Sequence, residues 1–264
     1  MNYYSLISSM SKTPPIVWDA DALAFIASAS ITDNTQKSAI NTLVTDFKTY
    51  GIWSKMKAIY PMVGGTASQH RFNLKDPRTV DAAYYLTFYN GWTHSADGAT
   101  GNPSDVYADT KFTGLINNSS LSYYNKYTGL DNNNVLMGVY NNPDVNSYIT
   151  SNFNGISNFA IRSLTSKVSY ASTANAGLWM ANRQSQTNFN AWHNGVKKGT
   201  DTISSSISTQ AGAIYLNSYN AGSPNYPSKA ICAFASIGDG LTDTEASNFY
   251  TSVQAYQITL NRQV

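Results

Sequence analysis

The clearest periodic pattern in the first half of the chain is an apolar stripe between residues 33 and 51. Apolar residues recur there at spacings of three and four: Ile40, Leu43, Val44 and Phe47. Such spacings place side chains on one face of an α-helix. Asp33 precedes the stripe as an N-cap, and Gln36 completes a capping box three residues later. Gly51 then ends the pattern. A helix over residues 33–50 is therefore predicted, with its apolar face packed on another element.

Two further segments carry helix signals. Asp19 is a suitable N-cap for a short helix that runs to Ala29. Near the C-terminus, Thr242 and Glu245 form a second capping box. An apolar stripe follows it at Phe249, Val253, Tyr256 and Leu260. We expect a closing helix in which the chain's single glutamate stabilises the first turn.

Between these helical ends the chain changes to short strands and frequent turns. Alternating or β-rich runs predict strands at residues 56–62, 84–89, 121–127, 135–140, 158–164, 167–171, 177–183, 187–193, 203–206, 213–217 and 229–237. Asn154-Gly155 and Asn194-Gly195 are among the turn signals that separate the runs. This spacing is typical of an all-β antiparallel sandwich and does not fit βαβ units.

The composition limits the partners. The 264 residues are 42% hydrophobic, enough for a core, but only 12% are charged and the net charge is +2. A charge this small supplies no field to gather nucleic acid or acidic lipid. No apolar run is long enough for a membrane span, and residues 1–7 lack the features of a secretory signal. We expect no nucleic-acid partner and no membrane insertion.

The acidic residues argue against common hydrolytic chemistry. Glu245 is the only glutamate, so a mechanism built on two glutamates has no residues to use. Close aspartate pairs exist at Asp19/Asp21 and Asp105/Asp109, where aspartate also suits caps and turns. The single cysteine, Cys232, lies in an apolar strand and is expected to be a buried small residue. The sequence thus predicts no enzyme and no catalytic residues.

The long segment over residues 90–112 is the best candidate for a binding loop. It is rich in Gly, Asp, Ser and Pro and carries Trp92, His94, Asp97, Tyr107 and Asp109. Sugars present apolar C–H faces and hydroxyls, so aromatic rings beside polar side chains suit a glycan. The alternative is that Trp92 and Tyr107 close the end of the sandwich as core residues. The two interpretations have equal weight at this stage.

Calcium remains open as a cofactor, and no other cofactor is indicated. The run Asp131-Asn132-Asn133-Asn134 offers oxygen ligands, as does the segment from Asp97 to Asp109. An EF-hand pattern is not met, and Asn-rich turns are common without a metal. No metal site is predicted from these residues.

The last third of the chain resembles a known group of β-sandwich proteins. The similarity lies in an ordered set: the Trp192-His193-Asn194-Gly195-Val196 hairpin, the strands at 213–216 and 233–238, and Leu241-Thr242-Asp243-Thr244-Glu245. This order resembles the laminin-G-like group of concanavalin A-like lectins and glucanases. The resemblance implies a jelly-roll sandwich, here with an N-terminal helical segment and a C-terminal helix.

A narrower similarity covers most of residues 20–264. It rests on residues 52–61, on Gly64-Gly65-Thr66, on Asn73-Leu74-Lys75 and on Tyr107-Ala108-Asp109-Thr110, and it resembles lectin-like virion proteins of tailed bacteriophages. That resemblance implies a structural virion protein made in the host cytoplasm. Its implied roles are particle assembly or decoration, or attachment to a host-surface glycan. The partners would be other virion proteins, copies of the same chain and a cell-surface glycan.

Residues 1–18 mix Ser, Tyr and Met without periodicity around Pro14-Pro15, which predicts an N-terminal arm that docks to a partner. A single lectin-like domain is expected over residues 19–264. The function predicted is that of a non-enzymatic structural virion protein with a lectin-like domain, for particle assembly or decoration or for attachment to a host-surface glycan. The alternative is a polysaccharide-degrading enzyme, a lyase or hydrolase, on the same fold, in which His94 would be the first residue to test.

Overall fold

The computed structural model describes residues 17–102, 104–129, 133–140, 145–163, 165–172, 174–205, 210 and 212–264. Most of the predicted N-terminal arm, residues 1–16, lies outside this description. Val17 and Trp18 are exposed, and the side chain of Asn41 holds the backbone on both sides of Trp18. The division into an arm and a single domain stays a prediction.

The helices form where the local signals place them. Helix α1 (Ala20–Ser28) is capped by Asp19, and helix α2 (Asn34–Thr49) by Asp33, whose carboxylate accepts a hydrogen bond from the Gln36 amide at 2.8 Å. A single turn, α3 (Ala67–His70), follows. Helix α4 (Asp243–Thr259) opens with the predicted capping box. Glu245 also pairs with Lys55 at 2.6 Å, so its structural role is confirmed.

Short strands make up most of the rest of the described chain. In chain order they are β1 (Met56–Tyr60), β2 (Thr87–Tyr89), β3 (Thr93–Ser95), β4 (Gly98–Thr100), β5 (Tyr107–Asp109), β6 (Ser119–Asn125), β7 (Asn133–Val139), β8 (Ser147–Phe153), β9 (Ile156–Ala160), β10 (Lys167–Ala171), β11 (Gly177–Ser185), β12 (Asn188–His193), β13 (Val196–Asp201), β14 (Tyr215–Leu216), β15 (Tyr219–Asn220), β16 (Pro224–Asn225) and β17 (Ile231–Gly238). Two single 3₁₀ turns lie at Trp53–Lys55 and Asp81–Ala83.

Within the described residues these strands form two sheets. The first has the order β13-β12-β11-β6-β17-β4-β3, and β1 also pairs with β17. The second has the order β10-β9-β8-β7-β14-β5-β2, with β15 beside β7 and β16 beside β15. All pairs are antiparallel except β15 with β7. The predicted antiparallel sandwich with helical ends is confirmed.

Two large cores give the described part of the chain three layers. One lies between the two sheets and contains Trp179 and Phe189 from the first sheet and Leu136, Ile149 and Phe159 from the second. The other lies between the first sheet and the helices, where Phe25, Phe47 and Phe249 meet Phe234. The first sheet is therefore covered on both faces. The outer face of the second sheet has no helical layer in the described part of the chain.

The hairpin at Asn194-Gly195 is confirmed in detail. Both residues have positive φ, 49° and 73°, as the type I′ turn between β12 and β13 requires. Position 195 has a second constraint, because a Cβ there would come within 2.5 Å of the Tyr250 ring. The turn thus joins the first sheet to α4.

Several predicted boundaries are wrong. Residues 90–112 are not one long loop, because β3, β4 and β5 form within them. The strand expected at 84–89 shrinks to Thr87–Tyr89, and that at 213–217 to Tyr215–Leu216. Residues 203–205 are not in a strand, and residue 206 lies outside the description. Strands β2 to β5 and β14 are only two or three residues long, so their limits depend on pairing with distant strands and not on a pattern in the sequence.

Candidate functional site

The residues predicted to form one binding loop are divided between the two sheets. Trp92, His94 and Asp97 lie at the β3–β4 hairpin of the first sheet, whereas Tyr107 and Asp109 lie on β5 of the second. One contact joins the groups, since the indole nitrogen of Trp92 donates a hydrogen bond to the Tyr107 carbonyl at 3.1 Å. The Trp92, His94 and Tyr107 positions are therefore neighbours, but they do not form a single open surface.

Trp92 packs as an aromatic core residue would. It is half-buried, lies edge-on to Phe88 with a centroid distance of 5.2 Å, and packs against the core between the sheets. Asp97 is exposed and forms an ion pair with Lys126. Asp109 pairs with Lys111 at 2.8 Å. Trp92 thus has the packing expected of the core interpretation, and each aspartate already has a lysine partner.

His94 forms a direct pair with His70, a buried residue at the end of α3. The two Nδ1 atoms are 3.0 Å apart. The Gly65 amide donates to Nε2 of His70, so His70 carries its proton on Nδ1 and donates it to His94. Burial, then His94 and Arg262, lower the pKa of His70 to about 3. Burial and Arg71 lower the pKa of His94 as well. Both rings are therefore neutral at pH 7.

The histidine pair gives the fold a specific dependence on pH. The unfolded chain takes up a proton at His70 near the ordinary pKa of about 6.5, whereas the folded chain resists it until about pH 3. The stabilisation is complete above the unfolded pKa and is lost as pH falls. We expect His70 to account for up to about 2 kcal/mol of lost unfolding free energy between pH 7 and pH 5.

The check is urea unfolding of the wild type and of His70→Gln at these two pH values. Glutamine keeps an acceptor for the Gly65 amide but does not titrate. The variant should lose distinctly less stability on acidification than the wild type. If the wild type and the variant lose the same unfolding free energy between pH 7 and pH 5, the histidine pair does not control the pH response.

The outer face of the second sheet carries an aromatic cleft that the sequence analysis does not predict, and we name it the tyrosine cleft. Its volume is about 370 Å³, and its described lining consists of Tyr140, Tyr148, Phe153, Asn158, Tyr219, Ala221, Asn225 and Tyr226. Side chains alternate between the two faces of a strand. Val139, Ile149 and Phe159 point into the core, so their neighbours Tyr140, Tyr148 and Asn158 point outward. The cleft therefore lies on the face opposite the core.

The aromatic rings form a floor and a rim. Tyr219 lies at the centre, with ring centroids 5.4 Å from Tyr148, 5.9 Å from Tyr140 and 6.0 Å from Tyr226. Phe153 meets Tyr226 edge-on at 5.2 Å. Tyr148 and Tyr219 are buried and form the floor, whereas Tyr140 and Tyr226 are 42% and 43% exposed and form the rim. Rings packed against one another in this way present fixed apolar surfaces to a ligand.

Two backbone features place these rings. Gly138 lies opposite both Tyr148 on β8 and Tyr219 on β15, and a Cβ at this position would be 2.7 Å from the Cβ of Tyr148. The absence of a side chain therefore allows the floor to close. Tyr226 has a φ of 52°, a left-handed conformation that is costly for a residue other than glycine. That conformation holds a large aromatic ring at the rim.

The described lining of the cleft is mostly apolar, with a few polar groups and no charge. No described lining residue carries a formal charge. Burial raises the pKa of Tyr148 to about 12 and that of Tyr219 well above its ordinary value, so these hydroxyls stay protonated. Asn158 accepts a hydrogen bond from Ser169 at 2.8 Å, which fixes its amide. Asn225 is exposed, and its side-chain amide forms no hydrogen bond with the described residues. The Asn225 amide can donate to and accept from a bound molecule.

Tyr107, one of the predicted residues, belongs to a second aromatic group on the same face. We name it the tyrosine ladder: Tyr89, Tyr107 and Tyr215. The Tyr107 ring stacks on the Tyr89 ring, with a centroid distance of 4.5 Å and an interplanar angle of 10°. It also stacks on the Tyr215 ring, with a centroid distance of 4.4 Å and an angle of 26°. Phe88, Ala108 and Leu216 on the same strands pack into the core, so the ladder points outward. The Asp109–Lys111 ion pair lies beside it.

The described residues suggest neither a metal site nor a membrane span. No group of three or more His, Cys, Asp or Glu side chains is arranged to hold a metal within the described ranges. Asp131 and Asn132, proposed as calcium ligands, lie outside these ranges. None of the described helices has the length and apolarity needed to cross a bilayer.

Comparison with known proteins identifies the fold. No family model and no curated protein matches the sequence. Among solved structures, the chain is similar to domain 4 of AbnA, a GH43 extracellular arabinanase from Geobacillus stearothermophilus, solved in complex with arabinotriose; the TM-score is 0.53 at 16% identity, covering 74% of this chain and 98% of that one.

Two other solved structures are also similar. A mutant of HCR/D has a TM-score of 0.50 at 10% identity, covering 76% of this chain and 53% of that one. The binding domain of botulinum neurotoxin serotype D has a TM-score of 0.49 at 9% identity, covering 76% and 52%. The chain thus spans about half of these two proteins. At such identities the similarity shows a shared β-sandwich fold.

Proposed function

We propose that this chain is a non-enzymatic carbohydrate-binding domain that holds an uncharged glycan in the tyrosine cleft. The observation that carries the proposal is the cleft itself, where five aromatic rings and two side-chain amides line an uncharged depression. Apolar C–H faces of a sugar can stack on Tyr140 and Tyr226, and its hydroxyls can pair with Asn225. A concave, largely apolar surface with few polar groups is the usual form of a small-molecule site.

The comparison supports this choice of ligand class. The arabinanase domain was solved in complex with arabinotriose, a neutral oligosaccharide, and it has the same fold. A fold alone does not determine function, so the proposal depends on the side chains of this chain. The Trp92–Asp97 hairpin is the weaker candidate, because Trp92 is packed against the core and Asp97 is paired with Lys126.

The contacts of the single glutamate and of His94 support a non-enzymatic role. Glu245 is held by the capping box and by Lys55. His94, the first candidate for a polysaccharide-degrading enzyme, is a neutral ring bound to His70. We therefore expect binding without the release of reducing-end or unsaturated products. Product formation by the purified protein that is lost in His94→Ala would overturn this role.

The biological setting that we propose is the virion of a tailed bacteriophage, where the domain would assemble with other virion proteins and copies of itself. The support is the resemblance carried by residues 52–61 and by Tyr107-Ala108-Asp109-Thr110. Several copies on one particle would convert weak binding of a surface glycan into strong attachment. Mass spectrometry of purified particles should detect the chain, and its consistent absence from them would contradict this setting.

The binding proposal is tested on an array of neutral and acidic glycans, with calcium and with chelator. The wild type should bind neutral glycans, and Tyr226→Ala should weaken binding about thirtyfold, since truncating an aromatic hot spot costs about 2 kcal/mol. Tyr50→Ala is the matched control, because Tyr50 is 40% exposed at the end of α2 and outside the cleft. A silent array, or equal loss in both variants, would contradict the proposal.

A further inference from the structure

The tyrosine ladder and the tyrosine cleft lie side by side on one face of one sheet. Tyr215 of the ladder is paired with Gly138 on β7, and Gly138 is paired on its other edge with Tyr148 of the cleft floor. One strand therefore separates Tyr215 of the ladder from Tyr148 of the cleft floor, and Tyr219 at the centre of the cleft is paired with the same glycine. Because the residue between them is a glycine, no side chain rises from that strand at this point.

The two groups together span a distance that suits a chain. The strands run in the order β2, β5, β14, β7 and β8, so four steps separate Tyr89 from Tyr148. At a strand spacing of 4.7–4.9 Å, the ladder and the cleft together form a band about 19 Å across. A single sugar ring in the cleft would leave the ladder uncovered. An oligomer that runs perpendicular to the strands would contact both groups.

The charges along the band restrict the chemistry of such an oligomer. The described lining of the cleft is uncharged. Beside the ladder, the charges of Asp109 and Lys111 compensate each other at 2.8 Å. Lys111 also lies 5.9 Å from the centre of the Tyr89 ring, where it adds to the packing of the ladder. A polyanion would find no unpaired cation along this band among the described residues.

We infer that the tyrosine ladder is a second subsite and that the ligand is a linear, uncharged oligosaccharide lying across the second sheet. This inference rests on the proposed function of the cleft. It adds the class of ligand, a chain of several sugars rather than a terminal one. It also gives a role to Tyr89, which is 37% exposed at the outer end of the stack.

The test is a titration with arabino-, xylo- and cello-oligosaccharides from the trisaccharide to the octasaccharide. In the series that binds, the octasaccharide should bind the wild type at least about tenfold more tightly than the trisaccharide, because the second contact becomes intramolecular. Tyr89→Ala should reduce this ratio to near one. Tyr226→Ala should weaken binding at every length, and Tyr50→Ala should behave as the wild type.

The possible failures are distinguishable. If the trisaccharide and octasaccharide bind equally and Tyr89→Ala has no effect, the ladder is not a subsite, although the cleft still binds sugar. Tighter binding of oligogalacturonides of the same length would overturn the uncharged class. If no series binds, or if Tyr226→Ala binds as the wild type, the proposed function of the cleft fails, and the inference fails with it.

Discussion

Replacing Phe249 with alanine is expected to lower the free energy of unfolding by about 3–5 kcal/mol. Phe249 is 1% exposed and joins three elements. Its ring stacks on Phe47 of α2 at 5.1 Å and lies edge-on to Phe234 of β17 at 6.1 Å. Truncation removes a buried ring and leaves a cavity between the helices and the first sheet. Denaturant unfolding monitored by circular dichroism measures the loss.

A substitution on the same helix provides the control. Ile258 in α4 is 56% exposed, so Ile258→Ala should change the unfolding free energy by no more than about 0.5 kcal/mol. Comparable losses in the two variants would mean that the helical layer is not packed on the first sheet as described. A large loss confined to Phe249→Ala supports the three-layer arrangement.

The second large effect is expected at Arg262, a buried cation without a described acidic partner in hydrogen-bonding contact. Its guanidinium donates to the carbonyls of Met62 at 2.7 Å and Ala233 at 2.9 Å, and to the Gln257 side chain at 2.9 Å. Five donors in a fixed fork allow one side chain to satisfy several carbonyls. Its removal leaves buried acceptors unpaired, so Arg262→Met should cost about 2–4 kcal/mol.

Arg78→Met is the matched control for this substitution. Arg78 is a surface arginine that pairs with Asp76 at 2.5 Å, and its side chain is 66% exposed. Exposed ion pairs contribute about 0–1 kcal/mol, so this variant should remain close to the wild type in urea unfolding. If Arg262→Met is as stable as Arg78→Met, the carbonyls around Arg262 have other donors, and the segment after α4 is not anchored by this residue.

The helical ends could be predicted because their signals are local. The N-cap at Asp33 and the capping box at Thr242 each lie within four residues, and each apolar stripe lies within a few turns. The capping box predicted at Asp33 is wrong in one half, because the Gln36 side chain accepts a hydrogen bond from the distant Gly64 amide at 2.8 Å. The sandwich could be predicted as a class from the spacing of strands and turns. The strands within residues 90–112 could not be predicted, because β3, β4 and β5 are each three residues long and depend on distant partners such as β17 and β14.

The tyrosine cleft could not be located from the sequence for a related reason. Tyr140 and Tyr148 come from one hairpin, whereas Tyr219 and Tyr226 arrive from a segment about seventy residues later. Chain periodicity predicts which face of a strand a residue occupies, but it does not predict which distant strand becomes its neighbour. The abundance of tyrosine, 19 residues, was visible. Which of them are stacked and half-exposed depends on the sheet order.

The residues that were predicted as a binding loop illustrate the same limit. Tyr107 lies on the outer face in the tyrosine ladder, whereas Trp92 packs against the core between the sheets. Both are aromatic residues in the same polar, glycine-rich segment, so the composition of that segment does not distinguish them. The difference arises because β5 joins the second sheet and the β3–β4 hairpin joins the first.

The most direct test of the central claim is a nuclear magnetic resonance titration of the protein with ring-labelled tyrosines. The titrant is the shortest arabino-, xylo- or cello-oligosaccharide that binds. We predict that the resonances of Tyr140 and Tyr226 shift with a single binding curve, while that of Tyr50 does not. Tyr127 lines the groove beside the β3–β4 hairpin. Shifts confined to Tyr127, or no shift in Tyr140 and Tyr226, would contradict the assignment of the cleft as the glycan site.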